Sequence, residues 1–236
     1  MSNTAASVLI TRCLDNLSRL STTTTRSGAT MESKALDWLN LTTQEMSNQH
    51  SFQEMWKLYN SSVVANSKTY AFPSTWKEII EFRVIDGTNS RKLTQMPPQT
   101  FYRLVPYPEG ESSGTPNCYV PFGATFDLYP IPDQAYIVYI RLVAAPTVIV
   151  TTTDLIDYNN DKDDLIVDGM TMRGFRFLQM HEDAAFYQKE YMRLMKEAVM
   201  ADAYPPDWSP VGMGFSSTSK VSLGNYWNKI DVFRSP

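Results

Sequence analysis

The sequence predicts an α+β protein: a helical body with a long C-terminal helix, an inserted antiparallel β domain and an extended C-terminal arm. Three observations predict it. Phe177, Met180, Ala184, Tyr187, Tyr191, Leu194, Ala198 and Ala201 recur in alternating steps of three and four, which is one face of a helix. The middle of the chain switches to a two-residue alternation, as in Ile80, Phe82 and Val84, the mark of half-buried strands. Beyond Pro205-Pro206 periodicity ends, yet Trp208, Phe215, Tyr226, Trp227 and Phe233 remain, whereas a disordered tail has few aromatics. The boundaries follow: 1–58 for the N-terminal helices, 59–150 for the β domain, 151–204 for the long helix and 205–236 for the arm.

Residues 5 to about 18 read as a helix with Leu9, Cys13 or Leu14, and Leu17 on one side, and Thr4 as N-cap. The Ser/Thr/Gly stretch 21–30 is a loop. Glu32 to Gln49 is a second helix, with Ala35, Leu39, Thr42 or Thr43, and Met46 on one stripe and Trp38 beside it. Phe52, Met55 and Trp56 anchor a turn or short helix.

Val63-Val64 and Thr69 to Phe72 flank a polar turn and read as a β-hairpin. Ile79 to Ile85 is a strand with Ile80, Phe82 and Val84 facing one way. Asp86-Gly87 turns the chain, and Arg91-Lys92-Leu93 returns as a strand. Gln99 to Leu104 forms a helical turn, and Pro106 to Gly114 an exposed loop. Ala124–Tyr129 and Ala135–Val143 read as a second hairpin around Pro130-Ile131-Pro132-Asp133. Phe126 and Leu128 share one face, as do Tyr136, Val138, Ile140 and Leu142. Thr147 to Thr153 is an extended segment and Asp154 to Asp164 an acidic loop.

The long helix starts at Asp168-Gly169, with Asp168 as N-cap, and stops at the prolines. Unbroken, it is about 50 Å long. His181-Glu182-Asp183 is able to cap a second helix, but the apolar steps run through that point. One helix, or two nearly collinear ones, is therefore expected. The aromatic and alanine seam packs on its own domain or against a neighbouring subunit; sequence alone leaves both open.

Charged residues make up 19% and aromatics 12% of the chain, and the net charge is −4. That balance argues against general nucleic-acid affinity, which needs a basic surface to neutralise phosphates. Two distant cysteines, Cys13 and Cys118, give no zinc spacing and read as free thiols. There is no secretory signal or span-length apolar run.

Motifs for chemistry are absent. Asp157-x-Asn159-x-Asp161 opens like a calcium loop, but Lys162 stands where glycine is needed and Asp168 where glutamate is needed. His181-Glu182 lacks the second histidine of a metalloprotease helix. His50 and His181 are the only histidines, a poor basis for acid–base work. Glu78 with Glu81, and Asp127 with Asp133, read as exposed strand charges. No catalytic residue, cofactor site or metal site is assigned, which favours a structural or binding protein over an enzyme.

The order of parts resembles the head–tail adaptor (connector) proteins of tailed bacteriophages. The resemblance rests on the helix with Ala35-Leu36-Asp37-Trp38-Leu39-Asn40, then Tyr70-Ala71-Phe72-Pro73 and Trp76 to Val84. It continues through Tyr119 to Gly123, Phe126 to Asp133, Tyr136 to Arg141, Ala145-Pro146 and the helix with Glu182-Asp183-Ala184-Ala185 and Tyr191. It spans roughly residues 5–203; the Asp157–Asp164 loop and the aromatic tail depart from it.

The resemblance implies a structural virion protein made in the host cytoplasm and placed at the head–tail junction. It implies a homo-oligomeric ring, commonly of twelve subunits, beneath the portal protein, joined below to tail proteins of the tube or nozzle. Double-stranded DNA would pass without sequence-specific binding. A ring interface would use Tyr187, Tyr191 and Arg193. A docking arm onto the portal or a neighbour would use Trp208, Phe215, Tyr226, Trp227 and Phe233, since aromatic anchors dominate interface energy. The rival readings are a tail-completion or head-closure protein of the same vertex, a virion hydrolase, and a carbohydrate-binding module.

Overall fold

A computed structural model describes residues 3–18, 28–87 and 89–203. The chain divides into two units, Met1–Asp202 and Ala203–Pro236. The arm residues Trp208, Phe215, Tyr226, Trp227 and Phe233 lie outside the described residues, so the elements below belong to the first unit, apart from Ala203 at the end of the last helix. In chain order they are β1 (Asn3–Ala5), α1 (Ala6–Asn16), α2 (Met31–Gln49), β2 (Trp56–Val63), β3 (Thr69–Ala71), β4 (Trp76–Asp86), β5 (Asn89–Lys92) and β6 (Thr94–Gln95). Then come α3 (Pro98–Leu104), β7 (Cys118–Phe122), β8 (Thr125–Tyr129), β9 (Tyr136–Ala144), β10 (Leu155–Asn159), α4 (Asp163–Phe177) and α5 (His181–Ala203). The fold is α+β, with helices and mainly antiparallel sheets.

The N-terminal helices follow their apolar stripes. α1 buries Ala6, Leu9, Ile10, Cys13 and Leu14. Its N-cap is Ala5 rather than Thr4, because the Thr4 hydroxyl donates to Asp163 at 2.7 Å instead. α2 is capped by Thr30, whose side chain accepts from the Ser33 amide at 3.2 Å. It buries Ala35, Trp38, Leu39, Thr42, Thr43 and Met46.

The expected acidic loop is a strand. β10 pairs antiparallel with β1. Ile156 and Tyr158 point into the core, and the Tyr158 hydroxyl donates to the Thr43 carbonyl at 3.1 Å. Asp157 on an outward position, with Asp154 and Asp161 on either side of the strand, masks this alternation in the sequence. α4 then starts at Asp163, five residues before the expected N-cap Asp168, which sits inside the helix.

The C-terminal helical segment also departs from expectation: it is neither one helix nor a collinear pair. After Phe177 the chain turns through Leu178, Gln179 and Met180, with Gln179 in the left-handed region at φ 63°. The Met180 amide donates to the Phe175 carbonyl at 2.9 Å and the Gln179 amide to Arg176 at 3.1 Å. This pair of bonds is the Schellman helix stop. α5 then runs back along α4. The Phe175 and Tyr187 rings stack 5.4 Å apart, and Arg176 donates to Gln188 at 2.9 Å. Tyr191 lies against Gly169; in a continuous helix those two residues would be about 33 Å apart. The apolar steps survive the turn because periodicity reports a buried face and not the path of the chain. Glu182 and Asp183 open the second helix, where carboxylates favour an N-terminus.

β2–β9 form a sandwich of two sheets, with strand orders β2-β9-β4-β5 and β3-β8-β7-β6. All pairings are antiparallel except β6 with β7. Neither of the two expected hairpins around residues 66 and 131 forms. β2 and β3 lie in opposite sheets, as do β8 and β9. β9 has both edges occupied, by β2 and β4, and β8 by β3 and β7. The inward faces are as expected. Phe82, Val84, Phe126, Leu128, Val138 and Ile140 meet in one core. Ile80 is the exception, at 41% exposure, because a register irregularity between Ile79 and Glu81 turns it outward. A second core, around α1, α2, α4 and α5, includes Phe52, Met55 and Val143.

Candidate interaction surfaces

α5 presents two unlike faces. Ala184, Tyr191 and Met195 are buried. Tyr191 is 3% exposed; burial pushes its phenol pKa up, and its hydroxyl has no hydrogen-bond partner among the described residues. Tyr187 is half-buried on Phe175. Of the three residues expected at a ring interface, only Arg193 stands on the open side, held by Glu190 at 2.9 Å and Glu197 at 2.7 Å. Tyr191 is buried in the chain's own helical core.

The apolar residues that α5 does expose are Phe186 at 60%, Met192 at 53% and Met200 at 60%. Sequence reasoning missed them because they lie off the main stripe. Their signal was available as hydrophobic residues interleaved with Lys189, Arg193, Lys196 and Glu197.

A polar cleft of about 410 Å³ lies where α1, α4 and α5 meet, lined by Arg12, Asp15, Asn16, Asp164, Asp168 and Arg193 among others. Arg12 pairs with Asp164 across it. The Asp168 carboxyl is pushed up to about 6, first by burial and then by the charges of Asp164 and Glu190.

In the sandwich, the sheet β2-β9-β4-β5 has one face on the aromatic core; its other face is open except at Val143, which is buried in the helical core. Leu58 and Ile137 are exposed there, at 57% and 48%. Between them runs a charge line in which Glu81 meets Arg83 at 2.6 Å and Arg141 at 3.5 Å. The hydrogen bond from Arg83 holds the Glu81 carboxyl below its usual pKa.

The groups considered for chemistry are engaged elsewhere. Asp127 is buried, not an exposed strand charge: it accepts from Thr69 at 2.7 Å, with Lys68 at 3.6 Å. Asp133 accepts from Tyr136 at 2.5 Å. His50 meets Asp202 at 2.7 Å, while His181 is exposed. Asp157 accepts from the Thr147 amide at 2.6 Å and Asp154 from the Thr151 amide at 2.9 Å. Among the described residues no group of three or more His, Cys, Asp or Glu is placed to hold a metal ion. Both cysteines are buried, and burial pushes the Cys13 thiol up to about 12, far from the thiolate a nucleophile needs. No described helix is long and apolar enough to cross a membrane. What the fold offers is surface: an amphipathic helix, an open sheet face and a shallow polar cleft.

Comparison with known proteins agrees with that character. A family model described as SU10 adaptor protein matches residues 4–213, covering both the helical body and the sandwich. No curated protein matches the chain.

Proposed function

This chain belongs to the SU10 adaptor protein family and is a phage adaptor, from which we propose that it is the head–tail adaptor forming a ring below the portal. In this reading the ring joins capsid to tail and continues the DNA channel. Its partners are the portal protein above, tail-tube or nozzle proteins below, and other copies of itself, twelve in the usual ring. The observation that carries the reading is the match over residues 4–213, which takes in helices and sheets together.

The physical features support it. The net charge of −4 and the mixed-sign outer face of α5 suit a wall past which double-stranded DNA slides, because sticking requires clustered cations. Residues 1–58 and 151–204 serve as the channel body and 59–150 as the tail-facing part. Arg193, with Phe186 and Met200, contributes the ring contact from α5. Trp208, Phe215, Tyr226, Trp227 and Phe233 anchor the arm on the portal or on a neighbour.

The test is a pull-down with the portal from the same genome, using the full chain and a variant truncated after Ala203. The full chain is expected to bind. The truncated chain is expected to lose binding while keeping its circular dichroism spectrum. Equal binding by both removes the arm from the account; no binding by the full chain, with recovery on assembled tails, makes it a tail-completion protein.

A further inference from the structure

The turn between α4 and α5 is built from residues that suit a helix better than a turn. From Phe175 to Ala203 the chain holds no glycine and no proline, and Leu178, Gln179 and Met180 are good helix formers. Gln179 nevertheless sits in the left-handed region at φ 63°. Glycine usually takes that place in this helix stop, because a side chain there is strained. The apolar seam also continues through the turn: Phe177, Met180, Ala184 and Tyr187 keep the steps of a single helix. In the folded turn that continuity serves no packing, and Phe177 and Met180 stand 46% and 43% exposed.

α5 holds no cysteine and is tied to the body by side-chain contacts. Tyr187 stacks on Phe175, and Arg176 donates to Gln188. At the far end the Asp202 carboxylate accepts from the Gln53 amide at 3.2 Å and meets His50 at 2.7 Å. Along the helices the pairs are Gly169 with Tyr191, Phe175 with Tyr187 and Arg176 with Gln188. All three are centred on residues 180 to 182.

We propose that Leu178–Met180 is a hinge, that α4 and α5 join there into one straight helix, and that α5 then fills the same groove on a second copy, giving a two-fold exchanged dimer. A second copy is the occupant because the groove is already cut for this helix: each contact that α5 makes in one chain is remade on the mate's body. Exchange of an identical element is a low-cost route to a dimer, and a short strained hinge favours it. Two straight helices, antiparallel with the axis near residue 181, bring Gly169, Phe175 and Arg176 of one copy to Tyr191, Tyr187 and Gln188 of the mate. The dimer adds what the closed chain lacks. Gln179 leaves the left-handed region, the backbone hydrogen bonds run through the hinge, and Phe177 falls opposite Ala184 of the mate. Against these gains stands the lost freedom of two joined copies, so the closed chain prevails when dilute and the exchanged pair when concentrated.

The hinge supplies the test. Gln179→Gly relaxes the turn and weakens the helix, whereas Gln179→Ala favours the helix. His181→Pro is sharper: residue 181 is the first of α5, where proline is at home, but inside a continuous helix proline breaks the hydrogen-bond ladder. The full chain and the variants are refolded from urea at micromolar to millimolar concentration and followed by sedimentation. The full chain is expected to move from 26.9 kDa toward twice that mass. The dissociation constant is expected to rise at least about tenfold in Gln179→Gly, equivalent to about 1.4 kcal/mol, and to fall in Gln179→Ala. His181→Pro is expected to keep its circular dichroism spectrum and stay monomeric. Exchange itself is read by refolding Arg176→Cys chains together with Gln188→Cys chains and adding a short bis-maleimide; Cys13 and Cys118 are buried. A covalent pair with one chain of each kind is expected. A single 26.9 kDa species throughout, a dimer equally strong in Gln179→Gly and Gln179→Ala, or a dimer that the linker does not join would each overturn the exchange. Portal binding is measured apart: the exchange fails without touching the adaptor reading, and the adaptor reading fails without touching the exchange.

Discussion

The helical body and the sandwich solve the same burial problem in different ways. The body closes on itself through near-contacts: Gly169 lies under Thr42 and Tyr191, and Gly174 under Leu17 and Trp38. It also carries a buried ion pair, Lys162 with Glu54 at 2.5 Å, set over the Phe52 ring. The sandwich gathers aromatic rings between two sheets and, among the described residues, leaves most of one sheet face uncovered and the outer edge of β2 without a partner strand. Phe126 sits at its centre, 4.7 Å from Phe72 and 5.0 Å from Phe82 by ring centroids. The difference teaches what each part exposes: α5 shows isolated side chains such as Phe186, Met192 and Arg193, whereas the sandwich shows backbone and continuous surface.

Four substitutions sharpen that contrast. Phe126→Ala is expected to have the largest effect, a loss of about 3–5 kcal/mol, because a buried ring leaves both a transfer cost and a cavity. Urea unfolding measures it, and a loss under about 1 kcal/mol would mean that the two sheets are not held by that cluster. Glu54→Leu comes next. Burial works against charge on Lys162, but the hydrogen bond and charge of Glu54 outweigh it. Removing that partner leaves the buried cation with only the exposed Asp161 at 3.3 Å, and urea unfolding is expected to show a cost of about 3 kcal/mol.

Gly169→Val tests the close approach of the helices. A Cβ there would sit 2.5 Å from the Thr42 methyl and 3.0 Å from the Tyr191 ring, so overpacking of about 1–3 kcal/mol is expected. A neutral result in thermal unfolding would show that α4 and α5 have room to part.

The smallest effect is electrostatic and belongs to the body alone. The folded Asp168 carboxyl titrates at about 6, against about 3.9 in an unfolded chain. The folded protein therefore takes up this proton first. The group's cost is present in full above that value and shrinks as pH falls toward 4. Asp168→Asn is expected to be the more stable protein at pH 7, with its advantage fading by pH 4. Melting curves of both proteins across that range check it; parallel curves would place Asp168 in water.

These contrasts also explain what the sequence could reveal. The stripes of α1 and α2, the inward faces of β8 and β9 and the short helix α3 were legible, because each is a local period. Partner choice was not. Alternation in β8 and β9 names a face and leaves open whether the two strands pair with each other or face across a core. The reversal at Gln179 was hidden because a non-glycine residue takes the left-handed position and the three-residue turn keeps the apolar steps in phase. On α5 the buried stripe was legible and the exposed one was not: Tyr191 is core, Arg193 is exposed, and Phe186 and Met200 stand exposed off the stripe. Asp127 read as an exposed charge because nothing local announces Lys68, Thr69 and Tyr102 closing around it.

The measurement that tests adaptor function most directly is negative-stain imaging of the full chain mixed with the portal from the same genome. A ring of added density beneath the portal, with a countable number of subunits, is the predicted result. Portals that stay bare while the protein decorates assembled tails, or nothing at all, would contradict it.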